Sequence, residues 1–180
     1  MEAYIIKISL KESKPLVWRR IIMPAGANYK RLHDVIQRAT NFQSGYPYGD
    51  YHLYEFDLRE DSIKVTNDED EYYEYLDIRD NRKAYEEELK TMPSDPVSFK
   101  EILQEKLDTV VRKPTGFRID DYLKKHGVIL YRYDFGDGWQ FTVELENTVD
   151  DYYLGYPALL DGEETAPPED VGESRDSMIF

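Results

Sequence analysis

No cysteine occurs in the chain. Disulfide frameworks, thiol nucleophiles and cysteine zinc sites are thereby excluded. Long apolar runs are missing too: nothing approaches the ~20 residues a membrane helix needs. The N-terminal segment Met1–Lys7 has neither the basic start nor the apolar run of a secretory leader. A cytoplasmic protein with no membrane partner is therefore expected. Positive charge is scarce, with 23 Lys and Arg against 37 Asp and Glu and a net charge of -14. That balance argues against a general affinity for nucleic acid. There is no G-x-S-x-G nucleophile elbow and no cofactor-binding motif, so no cofactor is expected.

The scarcity of positive charge is uneven. Residues 1–48 hold eight Lys and Arg against three Asp and Glu, and the remainder holds fifteen against thirty-four. A basic third could face a polyanion through Lys7, Arg19, Arg20, Lys30, Arg31 and Arg38. It could equally be neutralised by the acidic remainder of the same chain. The second reading is preferred, because charge runs are usually solvated faces. It predicts that Arg19 or Arg20 pairs with a carboxylate of this chain, near Glu169 and Asp170.

What is present is organised around residues 128–146, VILYRYDFGDGWQFTVELE. Ile129, Tyr131, Tyr133 and Phe135 alternate with Val128, Leu130, Arg132 and Asp134 before a Gly136-Asp137-Gly138 turn, and Trp139, Phe141, Val143 and Leu145 alternate with Gln140, Thr142, Glu144 and Glu146 after it. Period-2 alternation marks strands with one buried face. An odd loop brings both apolar rows to one face, so a three-residue loop pairing Phe135 with Trp139, Tyr133 with Phe141 and Tyr131 with Val143 is expected. Gly138 supplies its left-handed residue. Arg132, Gln140 and Glu144 should then be exposed.

The rest of the 180 residues suits a single domain spanning 1–180. Strands are expected at Tyr4–Leu10, Leu16–Met23, Tyr51–Leu58 and around Ile63–Val65. A helix capped by Asn28 should run from Tyr29 to about Asn41, packing Leu32, Val35, Ile36 and Ala39 on the sheet. The segment near 67–97 reads as an exposed acidic insertion, a loop at Asp68–Asp77 followed by a charged helix near Asp80–Lys90. Ser98 opens a capping box with Glu101, and Phe99, Ile102, Leu103 and Leu107 form the inward stripe of the helix after it. A short helix buries Ile119, Tyr122 and Leu123 and ends at Gly127. Residues 151–180 read as an irregular tail. Hairpins rather than alternating βαβ units predict an α+β fold with a mostly antiparallel sheet and helices packed on it.

Several segments, in this order, carry a resemblance: PLVWRRI at Pro15–Ile21, LHDVIQ at Leu32–Gln37, HLYEF at His52–Phe56, YRYDFGDGW at Tyr131–Trp139, and the YP and PPED elements between Tyr156 and Asp170. The chain resembles the plasmid pRiA4b Orf-3-like family, the structural group also called MM3350-like. The resemblance implies an α+β domain often coded on plasmids or near mobile elements, and it implies no established activity. The family pattern continues from PPED into Cys-Gly-Gly and a helical segment. Here Val171 stands for the cysteine and Glu173 for the second glycine.

Candidate chemistry is confined to a few places. Asp134, Asp137, Glu169 and Asp170 could form an acidic site, since clustered carboxylates bind hard cations or perform acid–base work. The competing reading has Asp134 and Asp137 satisfying turn amides. Trp139 would back such a site, and Arg19 and Arg20 are the candidate anion contacts. Asp134-Phe135-Gly136 spells a kinase metal triplet without the other kinase motifs. His52 shares a strand row with aromatic residues and reads as a core histidine, which His33 could approach from the helix. The preferred function is a non-catalytic binding or accessory module, with a protein partner or a small cationic ligand. A metal-assisted hydrolase using the four carboxylates and a nucleic-acid binder using the basic third are the alternatives.

Overall fold

The computed structural model describes residues 1–42, 52–93 and 99–168. The expected Gln43–Asp50 loop, the Ser98 cap, and Glu169 and Asp170 lie outside them. The described chain forms β1 (Ala3–Leu10), β2 (Trp18–Pro24), α1 (Tyr29–Thr40), β3 (Tyr54–Leu58), β4 (Ile63–Thr66), α2 (Glu69–Asp80), α3 (Arg82–Thr91), α4 (Phe99–Asp108), β5 (Val110–Arg112), α5 (Asp120–His126), β6 (Val128–Tyr133), β7 (Trp139–Val149) and β8 (Ala158–Glu163). The strands build one eight-stranded sheet in the order β5-β4-β3-β6-β7-β1-β2-β8. Every pairing is antiparallel except β4 with β5. The fold is α+β, in a single domain.

Alternation gives this sheet one dry face. Tyr4, Ile6, Ile8 and Leu10 of β1, Phe56 of β3, Tyr131 of β6 and Phe141 of β7 are all buried in one core with Leu32 and Ile36 of α1. Asn28 starts α1 by accepting a hydrogen bond from the Arg31 amide at 2.8 Å, which satisfies an amide with no partner inside the helix. The opposite face carries Lys7, Arg20, Glu144 and Arg132 at paired positions and is charged across its centre. Tyr152 closes the β1–β2 end of that face over Ala3 and Ile22.

The central hairpin differs from expectation by one step of two residues. Tyr133 pairs with Trp139, Tyr131 with Phe141 and Ile129 with Val143, so the loop has five residues, 134–138. Asp134 leaves the strand because its backbone turns left-handed, φ 52°. Its Oδ1 accepts the amides of Gly136 at 3.1 Å and Asp137 at 3.3 Å, and its carbonyl accepts the Gly138 amide. The loop stays odd, so both apolar rows keep one face. Phe135 is lifted out of the row and stands 39% exposed, with the Arg132 guanidinium 5.5 Å from its ring. Gln140 is half-buried rather than exposed.

The acidic run is another correction. Asp68–Asp77 was expected as a loop and is the start of α2. Asp68 caps it by accepting the Glu71 amide at 3.1 Å, and Glu69, Asp70 and Glu71 fill the first turn. Carboxylates there oppose the positive end of the helix dipole, which turns a charge run into a helix start. Helix α2 joins α3 and α4 around a small separate core of Ile78, Leu103 and Leu107. Phe99 and Ile102, expected inward, are exposed, because the helix presents Leu103 and Leu107 to that core instead. Strands β5 and β8 were not anticipated, and β8 runs through the segment expected to be irregular. Leu16 lies exposed ahead of β2, and β3 starts at Tyr54 rather than Tyr51.

Candidate functional site

Four places concentrate polar chemistry. The first is the hairpin tip. Asp134 is buried, its Oδ1 turned to its own loop amides and its Oδ2 3.2 Å from His52 Nδ1. This is the turn-ordering role weighed against the cation site. Trp139 is half-buried against Phe42, ring centroids 5.6 Å apart, and its indole Nε1 has no hydrogen-bond partner among the described residues. Asp137 sits in the same loop, whereas Glu169 and Asp170 fall outside the described residues. Among the described residues no three His, Asp or Glu side chains gather as a metal site would require.

The second place lies below the tip, between α1 and the sheet. His33 stacks flat on Tyr54, centroids 3.7 Å apart, and its Nδ1 lies 2.9 Å from the Tyr131 hydroxyl. Gln37 Nε2 donates to the same hydroxyl at 3.0 Å. The phenol oxygen thus accepts from the Gln37 amide, and the histidine tautomer sets which of His33 and Tyr131 donates in the other bond. Burial pushes His33 down to about 3, with Lys30 adding to the effect. Burial also pushes the Tyr131 hydroxyl well above its ordinary range. Both groups are neutral near pH 7, and this network orders the core. The sequence offered no signal for it, because Gln37 and Tyr131 are 94 positions apart and become neighbours only when α1 lies across β6.

The third place is a cavity of about 250 Å³ lined by Lys30, Tyr54, Asn67, Glu69, Lys113 and Thr115. Its polar atoms are largely engaged in structure. Asn67 Oδ1 accepts the Tyr54 amide at 2.7 Å while its Nδ2 donates to the His52 carbonyl. Lys30 pairs with Asp34 at 2.6 Å, and Lys113 lies 4.8 Å from the Tyr72 ring centroid and 3.7 Å from Glu69. On the opposite sheet face, Glu55 is buried between Arg132 at 3.0 Å and Lys64 at 3.7 Å. Burial raises its pKa, and the two cations oppose that rise.

The fourth place is the β2–β8 border. Arg20 forms a two-pronged contact with Glu146, 2.9 Å on one arm, and reaches Asp161 at 3.4 Å. Its guanidinium also stands 4.9 Å from the Trp18 ring centroid. The expected pairing with this chain's own acids is thus made, with partners from β7 and β8; Glu169 and Asp170 lie outside the described residues. Arg19 points to the helix side, where it donates to the carbonyls of Ala39, Trp18, Glu163 and Glu164 at 2.7–2.8 Å. The six basic residues proposed for a polyanion are therefore divided. Lys7 and Arg20 are neighbours on the open sheet face, while Arg19 turns to α1, which carries Lys30, Arg31 and Arg38 on the other side.

Next to this border the chain exposes apolar side chains. Tyr153 is 86% exposed and Leu159 58%, and Leu154, Tyr156 and Leu160 are exposed with them. Sequence reasoning passed over these residues; the signal available was the apolar YPALL run inside an otherwise acidic segment.

The fold and these residues place the chain among proteins already grouped together. Residues 2–176 match the family described as plasmid pRiA4b ORF-3-like protein, and the chain belongs to that family. It is 28% identical over 169 residues to the uncharacterized protein y4hQ of Sinorhizobium fredii, covering 93% of this chain and 65% of that relative's length. It is also similar to the crystal structure of MM3350 from Methanosarcina mazei Go1, a protein of unknown function. There the TM-score is 0.64 and the identity 25%, covering 95% of this chain and 75% of the other. Among the described residues no helix is long and apolar enough to cross a membrane.

Proposed function

We propose that the chain is a non-catalytic binding module that recruits a protein partner through the flank of its sheet at β8. The observation that carries this reading is the run of exposed apolar side chains at Tyr153, Leu154 and Tyr156, which lead in sequence into β8, and at Leu159 and Leu160 within it, the last strand of the sheet. Apolar surface gathered in one stretch and rimmed by polar residues is the usual mark of a protein contact. The groups best suited to acid–base work lend support from the other side. His33 and Tyr131 are held neutral inside the core, and Arg20, Glu146 and Glu55 are committed to ion pairs. The family is described after a plasmid reading frame, which fits an accessory role carried with plasmids.

The test is selection from a displayed library of random linear peptides. The intact chain should enrich a convergent set, and the Leu159→Ser, Leu160→Ser double variant should lose that set while keeping the same thermal melt. A library that never converges on the intact chain would remove the binding-module reading.

A further inference from the structure

Resting on the preceding reading, we infer that the partner presents an extended segment of alternating basic and apolar residues, which adds as a ninth strand beside β8. Strand β8 stands last in the sheet order, and no strand pairs with its outer side among the described residues. A sheet edge exposes unpaired amide and carbonyl groups, and extended peptides are recognised by completing that ladder.

Charge decides which peptide fits. Residues 150–164 contain Asp150, Asp151, Asp161, Glu163 and Glu164 and no Lys or Arg. Arg20 reaches only Asp161 of these through its side chain, at 3.4 Å, while Arg19 is spent on main-chain carbonyls. The edge is thus an apolar strip with an acidic rim. A register shift at Leu160 breaks the β2–β8 ladder between Asp161 opposite Arg20 and Leu159 opposite Ile21. Leu159 and Leu160, at this shift, are both exposed.

The same features exclude a second copy as the occupant. Two β8 strands laid edge to edge would bring two acidic rims together in a chain of net charge -14, and like charges across strands oppose pairing. Inward acids and bulges are devices that keep edges from self-associating. They leave the edge open to a strand of opposite charge, whose lysines meet the rim while its apolar residues cover Leu159 and Leu160.

The experiment uses the full chain and a fluorescein-labelled peptide of alternating Val and Lys, about seven residues, the length of an ordinary strand. Anisotropy should report binding that weakens with added salt. Binding should fall at least tenfold with Leu159→Ser, Leu160→Ser and severalfold with Glu163→Gln, Glu164→Gln. It should be unchanged with Val128→Ser, an exposed apolar residue elsewhere on the sheet. At saturation the amides of Ala158–Glu163 should exchange more slowly. A peptide of alternating Val and Glu should not bind.

Equal binding of the acidic peptide, or protection appearing on other elements, would overturn the inference. So would a concentration-dependent dimer abolished by the leucine double variant, since the second copy would then be the occupant. If the library converges on peptides while the Val–Lys peptide fails, the partner's chemistry is wrong and the binding module stands. If neither binds, both fall.

Discussion

His33 shows how far a single residue can be driven from its ordinary chemistry by where it lies. It is fully buried, stacked on Tyr54 and bonded to Tyr131, and burial pushes its pKa down to about 3 from 6.5. Between those values the unfolded chain holds a proton that the folded chain refuses. Stability therefore falls as pH drops below 6.5, with a slope of up to about 1.4 kcal/mol per pH unit from this one group. Urea denaturation at a series of pH values between 7 and 4 should show this slope, and His33→Gln should flatten it. An identical slope in the variant would assign the effect to other groups. Residue-level reading from the sequence succeeded where local geometry decides, as at the Asn28 cap and the left-handed Gly138, φ 65°. At Arg20 the charge balance announced a pairing with the chain's own acids but not which ones, since Glu146 and Asp161 are more than a hundred positions away and are fixed by sheet order rather than by any pattern near Arg20.

Among the elements, α5 is held by its ends. Tyr4 donates to Asp120 Oδ1 at 2.7 Å at its start. At its finish His126 lies between Asp61, 2.6 Å from Nε2, and Glu60, 2.6 Å from Nδ1, in the turn that joins β3 to β4. The hydrogen bond to Asp61 and then that to Glu60 raise the His126 pKa. A raised histidine contributes stability that is full below its unfolded pKa and is lost as pH climbs through the folded one. An NMR titration should place the His126 midpoint above 6.5, and Asp61→Asn should bring it down; a midpoint unmoved by that change would sever the assignment. Such a clamp is invisible in the sequence, because a helix end and a distant turn share no periodicity. Elements themselves were legible wherever apolar spacing was regular, as in β1, α1, β6 and β7. The helix α2 was hidden because acids and tyrosines dominate it and Ile78 alone of its residues is buried. Strand β8 was hidden because its side chains are mostly exposed, which erases alternation.

For the whole molecule, the sheet with α1 and the group α2–α4 have separate cores, joined along β4 and β5. Lys64 bridges them, 2.6 Å from Glu71. Cores that share few side chains open independently. Leu103→Ala should therefore speed amide exchange throughout α2–α4, while β1, β6 and β7 keep their protection; uniform acceleration would mean one cooperative unit. Fold class followed from the succession of hairpins, but strand order did not, since nothing in β1 announces that its second neighbour is β7. That order has a consequence during translation. The β1–β2 hairpin leaves the ribosome early, bearing Ile6, Ile8 and Ile21 that end fully buried, yet β7 and β8, which flank it, are among the last segments made. Both its sides stay open while the middle of the chain is synthesised, and unpaired strands of this kind are where nascent proteins stick to one another. The time spent elongating between Pro24 and Trp139 is then the interval during which both edges of this hairpin wait for the strands that cover them.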